Sequence, residues 1–203
     1  MADKYSNKGR LPNVEAGKFL LSRSGPPVDN EITNEQFMKV LQWGDYAEHT
    51  SDLEVNTLVW KCLGYRFVDG VWRDDECFPN WKAKYPSPPD FIGMQRVYSK
   101  EVDNPSLRAN QALCKTIPLG NKQSLKEHLR EYGFTGFKLE QLTPNKTRRA
   151  QCANWLLYYR ENLYGYTVEE LKEKREREQE EQRKKEKEDG TEEDWKPPFK
   201  PVA

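Results

Sequence analysis

Long hydrophobic runs are missing from this sequence. No stretch approaches the roughly 18 apolar residues that a membrane span needs. Net charge is missing too: 33 Lys and Arg balance 33 Asp and Glu. Nothing in the total therefore favours DNA, RNA or an anionic membrane, and any such binding has to come from a local patch. Histidine is scarce, with only His49 and His128, and the cysteines Cys62, Cys77, Cys114 and Cys152 form no C-x-x-C pair. A zinc site has no local signature, and neither a metal nor another cofactor is expected. Cys62 and Cys152 sit among apolar residues and read as small buried hydrophobes in a reducing compartment. The segment Met1-Ala2-Asp3-Lys4-Tyr5 lacks the apolar core of a secretory signal, and Asp3 and Glu15 make a poor transit peptide. Together these absences point to a cytoplasmic location and disfavour a plastid one.

Catalytic signatures are absent as well. There is no G-x-x-x-x-G-K-[ST], G-x-G-x-x-G or G-x-S-x-G. Gly133 and Gly136 give only G-F-T-G, too short to cradle a phosphate. His49 lies in a polar linker and His128 on a charged face, Lys126-Glu127-His128, so both read as surface residues. Asp74, Asp75 and Glu76 look like a solvated loop. The expectation is a protein that is not an enzyme.

What is present divides the chain. Charged residues make up 33% and apolar residues 35%, but the apolar shortfall is local, because no apolar residue occurs from Lys172 to Asp189. Residues 1–30 read as an extended arm broken by Pro12, Gly17, Gly25, Pro26 and Pro27, with Phe19, Leu20 and Leu21 as its one apolar point. Residues 31–166 read as a small, mainly helical (α+β) domain with one short β-hairpin. Thr33 with Gln36 and Ser51 with Glu54 are capping boxes. The first precedes Phe37, Val40 and Leu41; the second precedes Val55, Leu58, Val59 and Cys62, with Gly64 as the stop. Asp69-Gly70 between aromatic and β-branched residues predicts the hairpin.

Pro79, Pro86, Pro88 and Pro89 exclude regular structure. With Trp81, Tyr85 and Phe91 they form a segment that either wraps the domain or serves as a ligand for another one. Asn104-Pro105 predicts a helix start. A short helix follows from about Asn121 to Tyr132, and Phe134 to Leu139 is a strand or a tight loop. Thr143 and Pro144 open a helix with the widest apolar face, from Ala150 to Tyr159. Thr167 with Glu170 then launches residues 167–189, a charged segment with acid-first i, i+4 pairs such as Glu180/Lys184. It has no a/d stripe, so it is either a solvent-exposed single helix or disordered. Residues 190–203, with Trp195, Pro197, Pro198 and Phe199, form a Pro-aromatic tail.

One segment carries unusual chemistry. Lys146, Arg148 and Arg149 crowd the first turns of a helix, where the macrodipole disfavours cations. Their placement implies an anion nearby: an internal carboxylate, a phosphate or an acidic partner.

Several motifs together resemble a known family. They are Asn56-Thr57-Leu58-Val59-Trp60, Leu63-Gly64-Tyr65-Arg66-Phe67, Tyr85-Pro86 with Pro89-Asp90-Phe91-Ile92, Lys115-Thr116-Ile117-Pro118, Gly133 to Lys138, and Thr147-Arg148-Arg149-Ala150 with Ala153-Asn154-Trp155-Leu156-Leu157. In this order they resemble an uncharacterised domain family best known from cyanobacteria and plastid-bearing eukaryotes, over about residues 30–160. The resemblance implies a shared fold and brings no activity.

The expectation is a non-catalytic interaction or structural subunit that docks into a larger intracellular assembly, for which a cytoskeletal or axonemal lattice is one natural host. It would dock on protein partners through its arms, through Trp195 and Phe199 of the tail, and through Lys146, Arg148 and Arg149. The alternative is an RNA- or nucleotide-binding module using those three cations. No membrane partner is expected.

Overall fold

The computed structural model describes residues 21–46 and 50–188, without the side chains of residues 186–188. The fold is mainly helical. Seven α-helices are described: α1 (Asn34–Leu41), α2 (Asp52–Leu63), α3 (Pro79–Lys82), α4 (Lys100–Cys114), α5 (Ser124–His128), α6 (Pro144–Asn162) and α7 (Val168–Glu188). Strands β1 (Arg66–Val68) and β2 (Val71–Arg73) pair antiparallel, Phe67 opposite Trp72, across the Asp69-Gly70 turn.

The capping signals act as the sequence predicts. Thr33 Oγ1 accepts from the Gln36 amide, Ser51 Oγ from that of Glu54, Thr143 Oγ1 from that of Lys146, and Thr167 Oγ1 from that of Glu170. Each supplies one of the partners that a helix start lacks. Helix α6 is the hub and packs on α1, α2, α4 and α5.

Helix α2 is buried along its whole length, not only on its apolar face. Its buried Asp52, Asn56 and Lys61 are held by partners. Lys61 Nζ lies 2.5 Å from Glu31 Oε2 and 3.0 Å from the Ser22 carbonyl oxygen. The segment from Leu21 to Glu31 thus lies against the domain, with Leu21 in the core. Gly64 ends α2 at φ +96°, and a Cβ there would sit 2.2 Å from the Glu76 carbonyl oxygen, so no other residue fits without moving that loop.

Four expectations need correction, and the open choice of strand or loop after Phe134 resolves as loop. Helix α4 begins a turn before Pro105, because the Asp103 amide bonds to the Ser99 carbonyl at 2.8 Å and the Asp103 carboxylate is held by α6. Pro105 therefore sits inside the helix. Pro79 opens the one-turn helix α3 rather than breaking structure, since proline suits a first helical position. Residues 121–132 hold only one turn of α-helix, α5, followed by a 3-10 turn at Arg130–Tyr132. Residues 134–138 are loop. The core does not stop at Tyr166, because Leu171 of α7 is buried and Val168 packs against the core. From Lys172 to Lys185 no residue of α7 is buried. The Pro-aromatic segment wraps the domain, with Trp81 and Phe91 buried. Phe19, Leu20, His49, Trp195 and Phe199 lie outside the described residues.

Candidate functional site

The basic start of α6 does not form an outward patch. Arg148 and Arg149 are 4% and 1% exposed, and both anions are internal. Arg149 Nη1 lies 2.6 Å from Asp52 Oδ1, and its Nε and Nη2 donate to the carbonyls of Val40 and Thr50 at 2.7 and 2.8 Å. Burial pushes its pKa down, and Asp52 opposes the shift. Arg148 makes a bidentate pair with Asp103 at 2.6 and 2.7 Å and donates to the Ile92 carbonyl. Two buried guanidiniums at a helix start are tolerable because each finds a carboxylate and backbone oxygens in fork geometry. Lys146 alone is partly exposed, with its Nζ 5.8 Å from the Phe137 ring centroid.

These arginines close a polar network around residues 89–96. The Asp90 carboxylate accepts from the amides of Ile92, Gly93 and Met94 at 2.8–2.9 Å and from Asn56 Nδ2 at 2.9 Å. Asn56 Oδ1 returns a bond to the Phe91 amide, and Asn110 donates to the Phe91 carbonyl. Asn145 donates to the Ile92 carbonyl and accepts from the Tyr98 hydroxyl. A Cβ on Gly93 would lie 2.5 Å from Arg148 Nη1, so the loop and the arginine fit only around a glycine. These bonds hold the 89–96 segment against α2, α4 and α6.

The opposite stripe of α6 is open. Thr147, Ala150, Gln151 and Asn154 form one wall of a cleft of about 500 Å³. Its other walls come from Cys114, Ile117, α5 and the 134–142 loop. Phe134 and Phe137 stand 5.7 Å apart, and Trp43 meets both edge-on at 4.9 and 5.2 Å. Leu125 and Leu142 add apolar surface, and Lys122 and Lys126 are the charged residues of the lining. On the 134–142 loop Leu139 is 88% exposed, and in the turn Leu119–Asn121 Leu119 is 74% exposed. The motifs that carry the family resemblance, Lys115 to Pro118, Gly133 to Lys138, Thr147 to Ala150 and Ala153 to Leu157, contribute half of this lining. Sequence reasoning missed the cleft. Its signal is Leu139 and Leu142, apolar residues in a stretch with neither helical nor strand period.

The cleft offers little to catalysis. No histidine or carboxylate lines it. Burial pushes the Cys114 thiol up to about 11, so it is protonated at neutral pH and a poor nucleophile. Burial also raises Cys62 and Cys152 well above the ordinary value. His128 is exposed, with its Nδ1 3.2 Å from the Ser124 carbonyl oxygen. Among the described residues no group of His, Cys, Asp and Glu could hold a metal ion, and no helix is long and apolar enough to cross a membrane. A second, larger opening of about 770 Å³ lies between the 84–97 segment and α4. It mixes Lys84, Arg96, Arg108 and Lys115 with Asp90, Glu101 and Asp103, and Tyr85, Met94, Val97 and Val102 are among its apolar residues.

No curated protein matches the chain. A solved structure, described as a solution NMR structure, is 36% identical over 68% of this chain and 96% of its own, with a TM-score of 0.48. A family model described as a domain of unknown function matches residues 31–161. That span contains the arginine network and the whole cleft, and the chain belongs to this family, DUF1823.

Proposed function

We propose that the protein is a non-catalytic interaction subunit of a larger intracellular assembly, and that the α5–α6 cleft holds an apolar segment of a protein partner. The observation that supports this reading is a cleft lined by Leu125, Phe134, Phe137 and Leu142, with Leu139 of the same 134–142 loop left in solvent. Exposed apolar residues scattered singly carry no message, but a group around an apolar concavity is the usual form of a segment-binding site. The nucleotide- and RNA-binding alternative is not carried further, because two of its three cations are spent on internal carboxylates.

The test is affinity capture of the native protein from its own cells, with wild type and Leu139→Asp compared side by side and co-purifying proteins quantified by mass spectrometry. A partner enriched with wild type and reduced at least fivefold with the variant supports the proposal. Equal recovery of every partner by both overturns it.

A further inference from the structure

The charges around the cleft carry the sign of what it takes. Lys122 and Lys126 are the charged residues of its lining; both are exposed, and no carboxylate joins them there. Among the described residues neither lysine has a carboxylate partner. The stem of Lys126 lies along the loop, its Cδ and Cε 3.8 and 4.0 Å from where a Cβ on Gly136 would stand. That contact keeps the ammonium beside the aromatic wall. From α6, Lys146 brings its Nζ to 5.8 Å from the ring centroid of Phe137. Cations from two helices thus bracket the Gly136-Phe137 step of the lining. The acids of the neighbouring elements, Glu127, Glu131 and Glu140, do not line the cleft.

The apolar wall and the cations together select one class of segment. A basic segment would add to the repulsion among three like charges, and a neutral one would leave it as it is. An acidic segment relieves it, and each carboxylate gains a charge-assisted hydrogen bond. Charge complementarity of this kind sets partner choice, while the apolar contacts hold the segment in place. The α6 wall has a further group to offer. Gln151 is partly buried in the lining, and its amide has no hydrogen-bond partner among the described residues. It supplies two donors and an acceptor to the backbone of an inserted segment. The larger opening beside α4 is lined by charges of both signs and makes no such choice.

We propose that the cleft selects an acidic segment of its protein partner. Apolar side chains of the segment enter between α5, α6 and the 134–142 loop, and the aspartates or glutamates beside them pair with Lys122, Lys126 and Lys146. The proposal rests on the reading of the cleft as a segment-binding site and names the chemistry of that segment. A random peptide library displayed on phage is selected on the immobilised full chain. Parallel selections use the double variant Lys122→Glu with Lys126→Glu, and Leu142→Ser, a neutral change in the lining. Both lysines are exposed and free of carboxylate partners, so the double variant should keep the urea midpoint of wild type; Lys122→Gln with Lys126→Gln replaces it if it does not. Peptides enriched on wild type should combine apolar residues with aspartate or glutamate. A selected acidic peptide should bind the double variant at least tenfold more weakly in a fluorescence anisotropy titration, and added salt should weaken its binding to wild type. Enrichment without an acidic bias overturns the proposal, as does an acidic peptide that the double variant binds equally well. If unbiased peptides are enriched on wild type and lost on Leu142→Ser, the cleft stands as a segment-binding site and only its charge preference fails. If wild type enriches nothing beyond what Leu142→Ser does, the proposal and the reading of the cleft fail together.

Discussion

Helix α6 presents two faces that differ in every respect that matters for function. One carries Arg148 and Arg149, the most conspicuous charges in the sequence, and it is closed: each guanidinium is buried against a carboxylate and backbone oxygens from another part of the chain. The other carries Thr147, Ala150 and Gln151, which face the cleft, and Asn154, which ties α6 to the start of α5 by bonds to Asn121, Lys122 and Leu125. Charge at an unfavourable helix position marks a structural debt settled inside the fold, whereas the surface available to a partner is signalled by apolar residues left over after the core is filled. A cation at a helix start is costly, so it persists where tertiary contacts repay it, and a buried site does that better than a solvent-exposed partner.

If the closed face is structural, breaking it should cost as much as truncating a buried aromatic ring. Arg149→Ala leaves Asp52 buried and the carbonyls of Val40 and Thr50 without their donor, with only the half-exposed Arg96 still on the carboxylate. A loss of about 3–5 kcal/mol in a urea melt is expected, typical of removing one partner of a buried pair. Arg149→Lys should recover little of it, because an ammonium cannot reach three acceptors in fork geometry. A loss below about 1 kcal/mol would mean that the face is not closed in solution.

Asp90→Ala is the next largest. It removes the acceptor for three successive amides and for Asn56. Bonds to charged groups are each worth about 1.5–3 kcal/mol, but partial solvation of a relaxed loop offsets some of the loss. An overall decrease of about 2 kcal/mol is expected. Hydrogen exchange should speed up at Ile92, Gly93 and Met94 while the amides of α5 keep their protection. Acceleration at α5 of equal size would show that the two faces of α6 are not independent.

A smaller, graded effect comes from pH. Burial pushes the Cys114 thiol up to about 11 and that of Cys77 up to about 12, against an ordinary value of 9.0. Burial raises Tyr65, Tyr158 and Tyr159 as well. Between the unfolded and folded values the unfolded chain binds fewer protons than the native one, so stability falls as pH rises. It should hold below about pH 9 and decline between roughly 9 and 12, read from urea midpoints in steps of half a pH unit. At pH 8 a thiol reagent should label the native protein far more slowly than the denatured one. Stability that rises through pH 10 would contradict the buried placement of these groups.

Much of the fold is legible in the sequence wherever a local rule governs it. Thr33, Ser51, Thr143 and Thr167 cap the helices they appear to cap, and Asp69-Gly70 turns the hairpin. Where tertiary contact decides, local rules fail. Pro105 looks like a helix start, yet Arg148 holds Asp103 and draws an extra turn into α4. Lys61 gives no hint of burial until the 21–31 segment brings Glu31 to it. Arg148 and Arg149 do meet anions, but the sequence cannot say which, because Asp103 and Asp52 lie 45 and 97 residues away along the chain. The cleft is illegible for a related reason. Its walls come from the 114–142 region and α6, with Trp43 packed behind Phe134 and Phe137, and no local window contains more than part of it.

The smallest effect on stability is expected on the open face, and its smallness is what makes the comparison useful. Leu139 is 88% exposed, so folding removes almost none of its surface from water, and the transfer term of about 25 cal/mol per Å² has almost no area to act on. Its side chain lies beyond the 3-10 turn's own bonds, which run through the Lys138 and Leu139 carbonyls. Leu139→Asp should therefore shift the unfolding free energy by less than about 0.5 kcal/mol, the usual range for surface substitutions. The same measurement on Phe134→Ala, whose ring is buried between Trp43 and Phe137, should give about 3–5 kcal/mol. This contrast separates an exposed loop residue from the wall. A leucine that costs nothing to replace but removes a partner is retained for contact with that partner. A loss above about 1 kcal/mol for Leu139→Asp would make it part of the core, and reduced capture by that variant would then report unfolding rather than recognition.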